Sequence, residues 1–214
     1  MVILNHETEF HKQIINFCVQ ALKQGKAVVY PTDTSYGLAV DATNLKAIGR
    51  LYQIKEREAG QPVHIIVPSI AYAKKIAKWD KMAEKLAKKF WPGPLTLVLR
   101  LKINDLRLNR LSAGTKFIGL RYPNNRIALD LAKHLKRPIT TTSANVRSGG
   151  DNFDIKNIIN QFKDKKHKPD IIINAGKLPK RKSSTFVKVN KDRVQVLREG
   201  PIKEKQIRAM TKMT

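Results

Sequence analysis

The chain has 214 residues, 42% of them hydrophobic, and carries 42 Lys and Arg against 17 Asp and Glu, a net charge of +25. That apolar share supports a buried core and excludes an intrinsically disordered chain. No run of 18 or more apolar residues occurs, which excludes a membrane-spanning helix, and no membrane partner is expected.

Residues 1–9 lack the basic start and apolar stretch of a signal peptide. Phe10, Ile14, Phe17, Cys18, Ala21 and Leu22 recur at helical spacing and predict a buried helix face, with Gly25 just past the end. Cys18 is the lone cysteine and cannot form an internal disulfide, which fits a cytoplasmic location. Strands are predicted over 26–30 and 36–40. Asn44 is a good N-cap for a helix over 44–54 that buries Leu45, Ile48, Leu51 and Tyr52. A strand at 63–67 and helices at 69–77 and 80–90 follow, up to the turn Trp91-Pro92-Gly93-Pro94. Strands at 95–101 and 116–121 precede a helix at 125–136 that leads into residues 138–142. A helix at 154–162 and strands at 170–173, 184–189 and 193–198 complete the pattern. Interleaved strands and helices with no Ser/Gly-rich linker predict one α/β domain with a mixed sheet over 1–202. Residues 203–214 read as a basic appendage.

Within this frame, polar residues gather where strands end. Pro31 lacks an amide proton, so the ladder should falter there. Thr32, Asp33, Thr34 and Ser35 then form a polar loop between two apolar runs. Such a loop suits a small polar ligand, or is an ordinary turn whose side chains bond their own backbone. Lys55 and Arg57 follow a helix end: a mobile point charge and a planar fork that suit phosphate and carboxylate oxygens, or cations solvated near a helix dipole. Thr140-Thr141-Thr142-Ser143-Ala144-Asn145, followed by Ser148-Gly149-Gly150, could line a phosphate concavity or form an Asx turn. Ser183 and Ser184 precede another strand, and Arg121 and Arg198 each end one. The phosphate-loop and dinucleotide glycine signatures are both missing, which disfavours the usual nucleotide folds. The five histidines, at 6, 11, 64, 134 and 167, show no ligand spacing, so no protein-held metal is expected. The charge excess attracts polyanions and points to nucleic acid, although a solvated face or adaptation to host conditions would also account for it.

Seven blocks in order resemble the YrdC-like threonylcarbamoyl-AMP synthase family. They are Tyr-Pro-Thr-Asp-Thr-x-Tyr-Gly-Leu at 30–38, Lys-x-Arg at 55–57, Trp-Pro-Gly-Pro-Leu-Thr at 91–96, Gly-Leu-Arg at 119–121, Thr-Ser-Ala-Asn at 142–145, Ser-Ser-Thr at 183–185 and Leu-Arg-Glu-Gly at 197–200. Two positions depart from the family pattern. Glu58 stands where Pro is usual, and the next strand ends Ile66-Val67 rather than with a His, His64 sitting earlier. The resemblance implies the short, single-domain form: a twisted mixed sheet flanked by helices, with a basic concave cleft. It implies a nucleotidyltransferase that condenses L-threonine, bicarbonate and ATP to threonylcarbamoyl-adenylate and pyrophosphate, with Mg2+ carried by ATP. A partner transferase would then use the product on tRNA. By position, Tyr30, Thr32 and Arg121 would bind threonine. Lys55 and Arg57 would be catalytic, and with Ser143, Asn145, Ser184 and Arg198 would hold ATP. Two other readings are a non-catalytic module for tRNA or double-stranded RNA and a same-fold relative with another activity.

Overall fold

The structure is a computed structural model that describes residues 1–6, 10–58, 60–146 and 149–211. In chain order it begins with β1 (Val2–Asn5), α1 (His11–Lys23), β2 (Val28–Pro31), β3 (Tyr36–Ala39), α2 (Leu45–Ile54) and β4 (His64–Ile66). Next come α3 (Ile70–Ile76), α4 (Lys81–Phe90), β5 (Leu95–Arg100), α5 (Leu106–Leu111), β6 (Phe117–Arg121) and α6 (Arg126–Leu135). Then follow β7 (Ile139–Ser143), α7 (Ile155–Phe162), β8 (Ile171–Asn174), β9 (Thr185–Asn190), β10 (Arg193–Arg198) and α8 (Glu204–Thr211).

Among the described residues ten strands form one sheet in the order β1-β8-β2-β3-β7-β4-β6-β5-β9-β10. It is mixed: β2 pairs antiparallel with β3, while β4 with β6 and β5 with β9 run parallel. Side chains alternate across each strand, so neighbours serve opposite faces. Val29, Leu38, Ile65 and Ile172 enter the larger core, under α2, α4 and α7. Val28, Ala39, Ile66 and Ile171 enter a smaller core with Ile14, Cys18 and Leu22 of α1 and Leu131 of α6. Farther along, β6, β5 and β9 send Ile118, Leu97 and Val187 to the larger core, but their other face, with Phe117, Val98 and Lys188, is half-exposed. The functional cavity opens beside that uncovered stretch.

Boundaries follow local chemistry. Asn44 caps α2 by accepting the amides of Lys46 (3.0 Å) and Ala47 (3.1 Å). Gly25, just past α1, takes a φ of +78°, which only glycine adopts cheaply. Three expectations fail. Phe10 and Phe17 are about half exposed and Leu45 is 42% exposed, because the buried stripe of α1 turns toward Ile15 and Val19 and that of α2 toward Ala47 and Ile48. The short elements β1 and α5 carry too few residues for a period to register. Residues 204–211 are not an appendage: they form α8, and its Ile207 is fully buried in the larger core. Ile207→Ala should therefore cost about 2–5 kcal/mol in urea unfolding, whereas an appendage residue would cost nothing measurable. Among the described residues no helix is long and apolar enough to cross a membrane.

Candidate active site

A cavity of about 240 Å³ lies where the β2–β3 turn, the end of β7, the entry to β9 and the end of β10 converge. Thr32, Arg57, Arg121, Ser143, Ser184 and Arg198 all line it, so the fold brings six of the nine expected residues to one wall. Tyr30, Lys55 and Asn145 are not on that wall.

The turn is built from its own hydroxyls. Thr32 Oγ1 donates to the Ser35 carbonyl (2.7 Å) and accepts the amides of Thr34 (3.1 Å) and Ser35 (3.3 Å). That exhausts a hydroxyl. Thr32 therefore shapes the wall and holds the turn, and the ordinary-turn reading holds for its hydrogen bonds. Tyr30 is fully buried beneath the cavity and donates its hydroxyl to the Thr140 carbonyl (3.4 Å). It supports the turn and does not line the cavity.

Asp33 and Arg121 form the most deeply buried ion pair here. Their side chains are 6% and 4% exposed. Arg121 Nη2 donates to the Asp33 carboxylate and to Thr34 Oγ1 (2.9 Å), and Asp33 also accepts the Asn124 amide (3.2 Å). Arg121 Nε is buried and has no hydrogen-bond partner among the described residues. A buried unsatisfied donor is costly unless something accepts from it.

Lys55 lies just behind the wall, 5% exposed, at the C-cap of α2. Its Nζ donates to the Ser143 carbonyl (2.7 Å) and to Asn145 Oδ1. Ser143 Oγ donates to the same Asn145 oxygen (2.7 Å), and Asn145 Nδ2 donates to the Gly150 carbonyl. Lys55, Ser143 and Asn145 are thus one network, with Ser143 as its cavity face. Lys55 is therefore not a solvated helix-end cation. Burial chiefly, and then the Arg57 charge, bring its pKa down to about 7, while Asp151 opposes them. Glu56 takes a φ of +48° and turns the chain so that Arg57, unlike Lys55, reaches the cavity. There Arg57 donates to Gln61 Oε1 and the Pro62 carbonyl. Glu58 is exposed. Ser148 lies outside the described residues.

The far wall depends on two glycines. A β-carbon at Gly119 would sit 2.7 Å from that of His64, so the Gly-Leu-Arg block leaves room for the imidazole. A β-carbon at Gly200 would lie 2.1 Å from the Ser183 carbonyl oxygen. Close approach there lets Arg198 donate to the Ser184 carbonyl through Nε (3.1 Å) and Nη2 (2.9 Å), and stack 4.2 Å from the Phe186 ring centre. Gly200→Ala should destabilise the fold by about 1–3 kcal/mol or more, since a backbone carbonyl cannot rotate away. A thermal melt unchanged from wild type would contradict this packing.

The motif reading missed His64 and Asp151 as parts of the site. His64 lines the cavity, edge-on to Phe186 with ring centres 5.0 Å apart. Burial first, then Arg121, Arg198 and Arg57, hold it well below the usual histidine range, so its ring is neutral. Strand alternation could have found it: Val63 and Ile65 go to the core, so His64 faces the other way. Ile66, at the strand end where the family pattern often has His, enters the smaller core. Asp151 lines the cavity and accepts from Ser183 Oγ. The result is a hydroxyl-lined site with three arginines and one carboxylate, suited to gathering small anions by charge and position.

The fold and cavity together define an α/β protein that turns its arginines and hydroxyls toward one polar site. The Sua5/YciO/YrdC family model, described as "Telomere recombination", matches residues 20–200, and the chain belongs to that family. A Methanocaldococcus jannaschii protein named putative threonylcarbamoyl-AMP synthase is 35% identical over 91% of this chain and 89% of its own length. The threonylcarbamoyl-AMP synthase of Pyrococcus abyssi is 35% identical over 68% of this chain, and that alignment spans 42% of the relative. A crystal structure of P. abyssi Sua5 complexed with L-threonine superposes with a TM-score of 0.86 at 30% identity, over 98% of this chain and 60% of that one. Escherichia coli YciO superposes with a TM-score of 0.82 at 25% identity, over 96% of this chain and 98% of that one.

Proposed function

We propose that the protein is a threonylcarbamoyl-AMP synthase, a nucleotidyltransferase that joins L-threonine, bicarbonate and ATP and releases pyrophosphate. A separate transferase would then place the threonylcarbamoyl group on tRNA. The observation that carries this reading is the convergence of Arg57, Arg121 and Arg198 with the hydroxyls of Thr32, Ser143 and Ser184 on one cavity. Three anionic or zwitterionic reactants need such a site, and it requires no nucleophilic side chain. The Thr32 turn shapes the threonine end, and the Arg121 guanidinium supplies the charge for its carboxylate. Arg57, with Lys55 behind Ser143, steadies charge on bicarbonate and phosphate. Ser143, Asn145, Ser184 and Arg198 serve ATP. Mg2+ would arrive on the ATP phosphates.

Pyrophosphate release from ATP should require both threonine and bicarbonate. Turnover indifferent to threonine would overturn the reading and favour a relative with another activity. Lys55→Ala and Arg57→Ala should each lower turnover about 10²-fold or more if each removes a charge-stabilising donor. Normal turnover in both variants would remove them from the chemistry.

A further inference from the structure

Away from the cavity, a second depression of about 520 Å³ lies where the end of β5 meets the start of β6, lined by Lys78, Arg100, Lys102 and Lys116. It shares no lining residue with the cavity. None of the four cations pairs with a carboxylate among the described residues, and no Asp or Glu lines the depression. Four like charges gathered without a counter-charge repel one another, so a polyanion that neutralises them is favoured.

Their positions are fixed by backbone bonds. The Lys78 amide donates to the Arg100 carbonyl, the Lys102 amide to the Ile76 carbonyl, and the Leu101 amide to the Lys116 carbonyl, each at 2.8 Å. The charge also continues across the sheet. Arg100 pairs with Phe117, and Val98 pairs with Lys188, so alternation puts Arg100, Phe117 and Lys188 on one half-exposed face. Lys188 Nζ sits 4.1 Å from the Phe117 ring centre. Lys188 of β9 and Arg100 of β5 thus share that face, and Arg100 joins Lys116, just before β6, in the depression, so that the cations form one strip.

We infer that this strip is a binding site for the phosphodiester backbone of RNA, separate from the catalytic cavity. A line of cations on fixed strands matches a linear polyanion. Lysine supplies point charges that position a backbone without reading bases. The strip gathers five of the chain's 42 Lys and Arg residues on one surface.

The test compares Lys102→Glu/Lys116→Glu with Lys12→Glu/Lys23→Glu on α1, which packs near β2 toward the other end of the sheet. Both double variants change the net charge equally. Filter binding of an RNA duplex is measured from low to physiological salt, beside thermal melts. The strip variant should lose roughly tenfold or more in affinity, and its salt dependence should flatten by about 0.7–0.9 per phosphate contact removed. The α1 variant should lose much less. Lys102→Gln/Lys116→Gln should give an intermediate loss and covers the case in which charge reversal unfolds the chain. Equal losses in both double variants, or no RNA binding by the wild type, would overturn the site. So would capture by phosphatidylserine vesicles that needs Lys102 and Lys116 while RNA binding does not.

Discussion

Replacing Asp33 with alanine should cost about 3–5 kcal/mol of folding stability, the usual penalty for stranding one member of a buried ion pair. Both side chains of the Asp33–Arg121 pair are less than a tenth exposed, and Asp33 accepts the two contacts that tie the turn to Arg121 and Asn124. Asp33→Asn keeps the shape and should cost less than Asp33→Ala. Urea unfolding at neutral pH measures both. A loss below about 1 kcal/mol for Asp33→Ala, the range of an exposed pair, would mean that Arg121 rehydrates through the cavity and does not depend on its partner. The synthase reading adds a second readout. Freed from Asp33, Arg121 should bind threonine more weakly, because its guanidinium loses the anchor that orients it.

The second large effect concerns pH. Lys55 holds its proton only up to about pH 7 in the folded protein, against 10.5 for an ordinary lysine. Between those values the unfolded chain binds more protons than the folded one. The penalty from Lys55 is therefore full below pH 7, fades as pH rises, and is gone above 10.5. Each unit of pKa is worth about 1.36 kcal/mol, which bounds the penalty at about 4–5 kcal/mol. Lys55→Met removes the titrating group. The stability of the wild type minus that of Lys55→Met should therefore rise steadily between pH 7 and 10. A flat difference over that window would show that Lys55 stays charged when folded, held by the Ser143 carbonyl and Asn145 Oδ1.

Much of this protein was legible without its fold. Interleaved strands and helices predicted an α/β domain with a mixed sheet, because periods of two and of about 3.6 residues reflect burial directly. Six of the seven blocks supply residues that line the cavity, and Gly119 and Gly200 in two of them proved to be points of close approach. Short elements were not legible. β1 and α5 are too brief for a period, and α8 anchors itself through one fully buried residue, Ile207.

What the tertiary structure alone decided is which side of the wall each residue occupies. Tyr30 and Thr32 are neighbours of the cavity in sequence, yet one is sealed beneath it and the other spends its hydroxyl on its own turn. Lys55 and Arg57 are two residues apart, yet the left-handed turn at Glu56 buries one and presents the other. Asp33 finds Arg121, 88 residues away, only because β3, β7, β4 and β6 lie side by side in the sheet. Composition and local pattern determined the elements, the charge and the residue types at the site, since these depend on near neighbours. Burial, pairing and the lowered pKa of Lys55 depend on groups far apart in the chain, and only the assembled sheet brings them within reach of one another.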